Sequence, residues 1–100
     1  MAFKIIWSAE AKVTYLGIID YLSKEWTERE IRNFVERVHN KLDILSVHPE
    51  IGRVHKKKYK IHKTLIHKKV SLVYHIKPQK KEIHLLNFWD NRQDPAKLKY

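Results

Sequence analysis

Apolar positions along this chain repeat with two different periods. Phe3 to Trp7 (FKIIW) is dense in β-branched and aromatic residues and predicts a buried first strand. Ser8 is a good helix N-cap, and Glu10 falls in the first turn, where an acid is favourable. Ala11, Tyr15, Ile18, Ile19, Leu22 and Trp26 then recur every three or four residues, which predicts an amphipathic helix. Its polar side carries Lys12, Asp20 and Lys24. Thr27-Glu28-Arg29-Glu30 has the pattern of a capping box and starts a second helix. The apolar stripe of that helix is Ile31, Phe34, Val35, Val38, Leu42 and Leu45. It should stop before His48-Pro49, because the residue before a proline is pushed out of the α region.

In the second half the period shortens to two. Tyr59 to Ile66 alternates over much of its length, and Val70 to Ile76 is β-branched and aromatic. Pro78-Gln79-Lys80-Lys81 reads as a turn, and Glu82 to Trp89 as a further strand. Short links between these strands predict an antiparallel meander. The order β-α-α-β-β-β describes an α+β domain, with a helical hairpin packed on one face of a small, mostly antiparallel sheet. Tyr15, Ile19, Leu22, Ile31, Phe34, Val38 and Leu42 should meet Leu72, Tyr74 and Ile76 across that interface.

Composition narrows the class. One hundred residues make a single domain, 1–100, with one modest core. The absence of cysteine removes disulfides, thiolate metal sites and cysteine nucleophiles together. No secretory signal pattern is visible, and no apolar run reaches the roughly 20 residues a membrane span needs. The expectation is a soluble, cytoplasmic protein with no membrane partner.

Charge changes the picture most. The net charge is +10, but it is unevenly placed. Residues 1–50 carry 7 Lys/Arg against 8 Asp/Glu, a net of −1, whereas residues 51–100 carry 14 against 3, a net of +11. One-sided clustering of this kind points to a polyanionic partner. Lys56-Lys57-Lys58, Lys69 and His75 are the candidate nucleic-acid contacts; the lysine run reads as contacting phosphate or a protein partner, with an unpaired loop as the runner-up, and a charge run alone does not choose between them. His62, His67, His75 and His84 lie on or near strands, but they form no HxH or HExxH pair, so no metal site is expected.

Three stretches together resemble the RelE/ParE superfamily of type II toxin–antitoxin toxins, also called plasmid-stabilisation proteins. They are Ile19-Asp20-Tyr21-Leu22 in the first helix, Leu72-Val73-Tyr74-His75-Ile76 in a strand, and the closing Phe88-Trp89-Asp90-Asn91-Arg92-Gln93-Asp94-Pro95. The resemblance covers nearly the whole chain. It implies a toxin held by an acidic antitoxin, with one of two targets. One branch is a ribosome-dependent endoribonuclease that cuts messenger RNA on the ribosome; the alternative, ParE-like branch is a non-enzymatic inhibitor of DNA gyrase.

For the nuclease branch the resemblance implies a metal-independent, cofactor-free site of basic side chains. Arg92 matches the Arg that follows the last strand and binds the reacting phosphate, a task suited to a planar, always-charged guanidinium. Pairing of Arg92 with Asp90 or Asp94 at a turn is the competing reading. Tyr59-Lys60-Ile61-His62 resembles the family's basic strand. There Lys60 would stabilise charge and His62 would move the proton, if both share the open sheet face by alternation; plain solvent-facing strand residues are the other reading. Two features depart from the pattern or stand apart from it. Ser71 occupies the position where nucleases often carry an Arg, and Tyr100 lies further from Arg92 than a base-stacking C-terminal Tyr usually does.

Overall fold

The computed structural model describes residues 2–93 together with Lys97 and Leu98. Asp94, Pro95 and Tyr100, which belong to the family-like ending, lie outside the described residues. Strand β1 (Lys4–Trp7) is followed by helices α1 (Ala9–Leu22) and α2 (Glu28–Val47), a 3₁₀ turn (Pro49–Ile51) and strand β2 (Arg53–Lys56). A second 3₁₀ turn (Lys57–Tyr59) leads into β3 (Ile61–His67), β4 (Val70–Lys77) and β5 (Glu82–Asp90). The sheet order is β1-β5-β4-β3-β2, with β1 parallel to β5 and every other pair antiparallel.

Both helix starts follow the sequence signals. The Ser8 hydroxyl accepts from the Ala11 amide at 2.9 Å. The Thr27 hydroxyl accepts from the Glu30 amide at 3.2 Å, and the Glu30 carboxylate accepts from the Thr27 amide at 3.1 Å, which completes the capping box. Phe34, Val38, Leu42 and Leu45 are the buried stripe of α2. They join Leu72, Tyr74, Ile76, Ile83, Leu85 and Phe88 of the sheet in one core. Tyr15 lies between the helices and the sheet, with its ring 5.1 Å from Phe88 and 6.5 Å from Phe34.

Strand β1 differs from the expected buried strand. It is an edge strand, half-buried, and pairs with β5 only from Lys4 to Trp7. Beyond Trp7 the first helix takes over the vacated edge. The Phe88 amide donates to the Thr14 hydroxyl at 3.0 Å, and the Ser8 hydroxyl donates to the Leu86 carbonyl at 3.3 Å. Side chains of α1 thereby satisfy backbone groups that a longer β1 would have satisfied.

Two further differences lie between Gly52 and Ile61. A fifth strand, β2, pairs with β3 as the opposite edge of the sheet. Its sequence, RVHK, has one apolar residue and every position is exposed, so hydrophobic alternation could not reveal it. The expected strand start at Tyr59 is also too early. Lys60 adopts a left-handed conformation (φ 53°, ψ 40°), and β3 begins only at Ile61.

Candidate functional site

The β3–β4 register decides which side chains can meet. His62 lies opposite Tyr74 and Thr64 opposite Leu72, so these four share the helix-covered face. Ile61, Lys63 and Leu65, opposite His75, Val73 and Ser71, share the open face. The expected alternation of Lys60 and His62 on the open face is therefore corrected. Lys60 stands outside the strand, and His62 is on the core side at 8% exposure.

His62 belongs to a buried polar cluster. Its Nδ1 lies 3.1 Å from the Gly52 carbonyl, which can only accept, so Nδ1 carries the hydrogen. Its ring stacks on Tyr74 at 5.6 Å. The Tyr74 hydroxyl donates to the Pro49 carbonyl at 2.7 Å and accepts from the Gly52 amide at 3.1 Å. Burial pushes the Tyr74 hydroxyl up to about 12. Tyr74 and His62 together tie the Pro49–Gly52 loop onto the sheet. Gly52 is there because its backbone approaches Tyr74 closely: a Cβ would collide with the Tyr74 hydroxyl and press on its ring at 3.0 Å.

Arg92 emerges just past β5, at the other end of the sheet. Its Nη2 donates to Asp90 Oδ2 at 2.9 Å and its Nε to Asp90 Oδ1 at 3.1 Å. The Arg92 amide donates to the same Oδ1 at 2.9 Å. The guanidinium also lies 4.9 Å from the centre of the Tyr21 ring on α1. The hydrogen bonds from Arg92 hold the Asp90 carboxyl below its ordinary range, and the bonds to Asp90, helped by Tyr21, raise Arg92 further. The turn pairing that competed with phosphate binding in the sequence is thus the contact formed with Asp90. Around it, Thr14, Gly17, Tyr21, Lys69 and Asn87 line a groove between α1 and β5.

Lys60 and Arg92 are far apart. The Lys60 carbonyl accepts from the Ile76 amide at one end of β4, whereas Asp90 pairs with Val70 at the other. Six residues of strand correspond to about 20 Å at ~3.3 Å per residue. The expected convergence of Lys60, His62 and Arg92 on one phosphate is not the arrangement found. Lys60 and His62 do share a cleft with Val47, Ile51, Val54 and Ile76, but Arg92 has no part in it.

The nucleic-acid candidates divide in the same way. Lys56, Lys57 and Lys58 surround the turn into β3, near Lys60. His75 is on the open face opposite Ile61 and beside His84. Burial, then Lys77 and His84, lower the His75 imidazole from its ordinary value. Lys69 is at the β3–β4 turn, near Arg92.

Arg53, His55 and Lys63, none of them a candidate from the sequence, line an open-face cleft together with Ser71 and Asn91. Ser71 donates to Asn91 Oδ1 at 2.8 Å, and Arg53 pairs with Lys63 across β2 and β3. A hairpin register drawn from the Lys68-Lys69 turn would have placed Lys63 beside this position. The Arg53 side needed strand β2, which had no sequence signal. Among the described residues, no group of three or more His, Asp or Glu is arranged to hold a metal ion, and no helix is long and apolar enough to cross a membrane.

An edge-protected five-stranded sheet under a helical hairpin, carrying a strongly basic second half, fits the toxin superfamily. The sequence model of one of its families, described as "ParE toxin of type II toxin-antitoxin system, parDE", matches residues 5–95. The chain belongs to this ParE toxin family and is a toxin of a type II toxin–antitoxin system, a class defined by pairing with an antitoxin. No curated protein matches it significantly.

Proposed function

We propose that this toxin acts by binding and blocking a macromolecular target, DNA gyrase, and not by cutting RNA. The observation that carries the reading is the engagement and isolation of Arg92. Its guanidinium is occupied by Asp90, and it is about 20 Å along the sheet from Lys60. Phosphodiester cleavage by the 2′-hydroxyl needs a base, an acid and a charge stabiliser around one phosphate. Here His62 is committed to Gly52, and Ser71 supplies no charge. A binder needs none of these groups to converge.

The ribosome-dependent endoribonuclease is the second reading. It is favoured by the cleft that brings Arg53, His55 and Lys63 near Ser71 and Asn91. In that reading the cleft would take the phosphate in place of Lys60, His62 and Arg92. Either target lies in the cytoplasm. Expression of the toxin without its antitoxin separates the two. The gyrase reading expects relaxed plasmid DNA and an uncut reporter messenger by primer extension. Ribosome-positioned cuts with normal plasmid supercoiling would replace it with the nuclease reading.

A further inference from the structure

We propose that the end of the sheet formed by the turn into β3 and the β4–β5 turn binds single-stranded nucleic acid, with phosphates on Lys58, Lys60, Lys77 and Lys80 and one base on Tyr59. The site is independent of how the toxin acts on its main target. These five residues and His75 line one shallow cleft, and no carboxylate lines it. The hydrogen bond from the Ile76 amide to the Lys60 carbonyl, 3.1 Å, joins its two walls. Among the described residues none of the four lysines has an ion-pair partner. The neighbouring acid, Glu82, pairs with His84 at 3.0 Å; it also stands opposite Lys77 across β4 and β5 and feels the charge of Lys80, without an ion pair to either.

Tyr59 supplies the second element of the site. It is 55% exposed, and the Lys58 ammonium lies 5.5 Å from its ring centre. An exposed ring among unpaired cations is the combination that holds a single strand, by base stacking and phosphate contact.

The backbone supplies a third, independent observation. Lys60 and Lys81 are the non-glycine residues of positive φ among those described, each at 53°. Both sit in the turns at this end of the sheet. Glycine or asparagine would adopt that conformation more easily. A lysine at each of two such positions adds positive charge at this end of the sheet, Lys60 in the cleft itself and Lys81 in the turn beside it.

An acidic polypeptide fits less well. Acidic motifs are read by clusters of Arg, whose planar fork grips carboxylates bidentately, whereas this cleft carries four Lys and no Arg; other peptides add a strand to a free edge or fill an apolar groove. Here β3, β4 and β5 are all interior strands, and Ile76, the aliphatic side chain of the cleft, is itself buried.

The test is fluorescence anisotropy of a labelled 12-nucleotide single strand with the full-length toxin over a salt series. Four phosphate contacts predict a slope of log K against log salt of about −3. The triple variant Lys58→Gln/Lys77→Gln/Lys80→Gln should lower the size of that slope by about 2. Lys12→Gln/Lys24→Gln, on α1 and in the turn that follows it, should leave it unchanged. Tyr59→Ala should weaken single-strand binding about tenfold and duplex binding hardly at all, while Tyr59→Phe should bind like wild type. Lys60→Gly should weaken binding with Tm unchanged or raised, which separates the role of the charge from a folding effect. Wild-type slope in the triple variant, or wild-type single-strand affinity in Tyr59→Ala, would overturn the proposal. So would polyglutamate displacing the strand as well as unlabelled oligonucleotide does.

Discussion

Arg92 grips Asp90 with two parallel hydrogen bonds, 2.9 and 3.1 Å long, across the turn that ends β5. Both side chains are partly open to water, 41% and 21% exposed, so the pair is screened and holds the turn only modestly. Its pH signature has a definite sign. The Asp90 carboxyl is lowered in the folded chain, chiefly by the bond from Arg92. The pair therefore stabilises the fold above the ordinary Asp value near 3.9, and that stability is lost as pH falls through the lower folded value. Arg92→Ala should melt slightly below wild type at pH 7, and the difference should shrink as pH falls below the ordinary Asp value. A Tm difference that grows on acidification would contradict the assignment.

Tyr74 and Gly52 make a sharper case. Tyr74→Phe leaves the Gly52 amide and the Pro49 carbonyl without a partner in a buried site and should cost about 1–3 kcal/mol. Gly52→Ala drives a methyl group into the Tyr74 hydroxyl and should cost about 1–3 kcal/mol. Removing that hydroxyl makes room for the methyl, so the double variant should be less destabilised than the sum. Urea denaturation of all four proteins checks this, and strict additivity would count against the contact.

His62 separates structural from catalytic histidine. His62→Leu should lose stability on the order of 1–3 kcal/mol, because the Gly52 carbonyl is left buried and unpaired. The folded fraction should stay as toxic per molecule as wild type. Toxicity abolished at unchanged Tm would show that His62 acts in chemistry.

Phe34 tests the core. It is 1% exposed and sits between Tyr15 and Trp26, with ring centres 6.5 and 6.0 Å away. Phe34→Ala should cost about 3–5 kcal/mol in denaturant unfolding, and an unchanged midpoint would displace it from the core.

Regular periodicity and helix caps were readable in the sequence, because each depends on residues close together in the chain. The Thr27 capping box, the Phe34-Val38-Leu42 stripe and the Leu72-Tyr74-Ile76 strand stand where their spacing put them. What escaped depends on contacts made at long range or on irregular backbone. Strand β2 is held as an edge by β3, not by an apolar face of its own. The left-handed turn at Lys60 broke the alternation that had joined it to His62, and nothing in a Tyr-Lys-Ile-His string announces a positive φ. His62 was misplaced because its partners, Gly52 and Tyr74, are ten and twelve residues away and meet it only through the sheet register. Arg92 was placed correctly after the last strand, and its alternative partner, Asp90, could be named from the sequence because it is two residues away.

The supercoiling reaction of purified gyrase, titrated with purified toxin, tests the central claim most directly. The account predicts that supercoiling falls as toxin is added and is restored by the antitoxin. It also predicts that folded Arg92→Ala and Ser71→Arg proteins leave messenger on programmed ribosomes uncut, as wild type does. Full supercoiling at saturating toxin, together with messenger cleavage by wild type that is lost in Arg92→Ala, would contradict it.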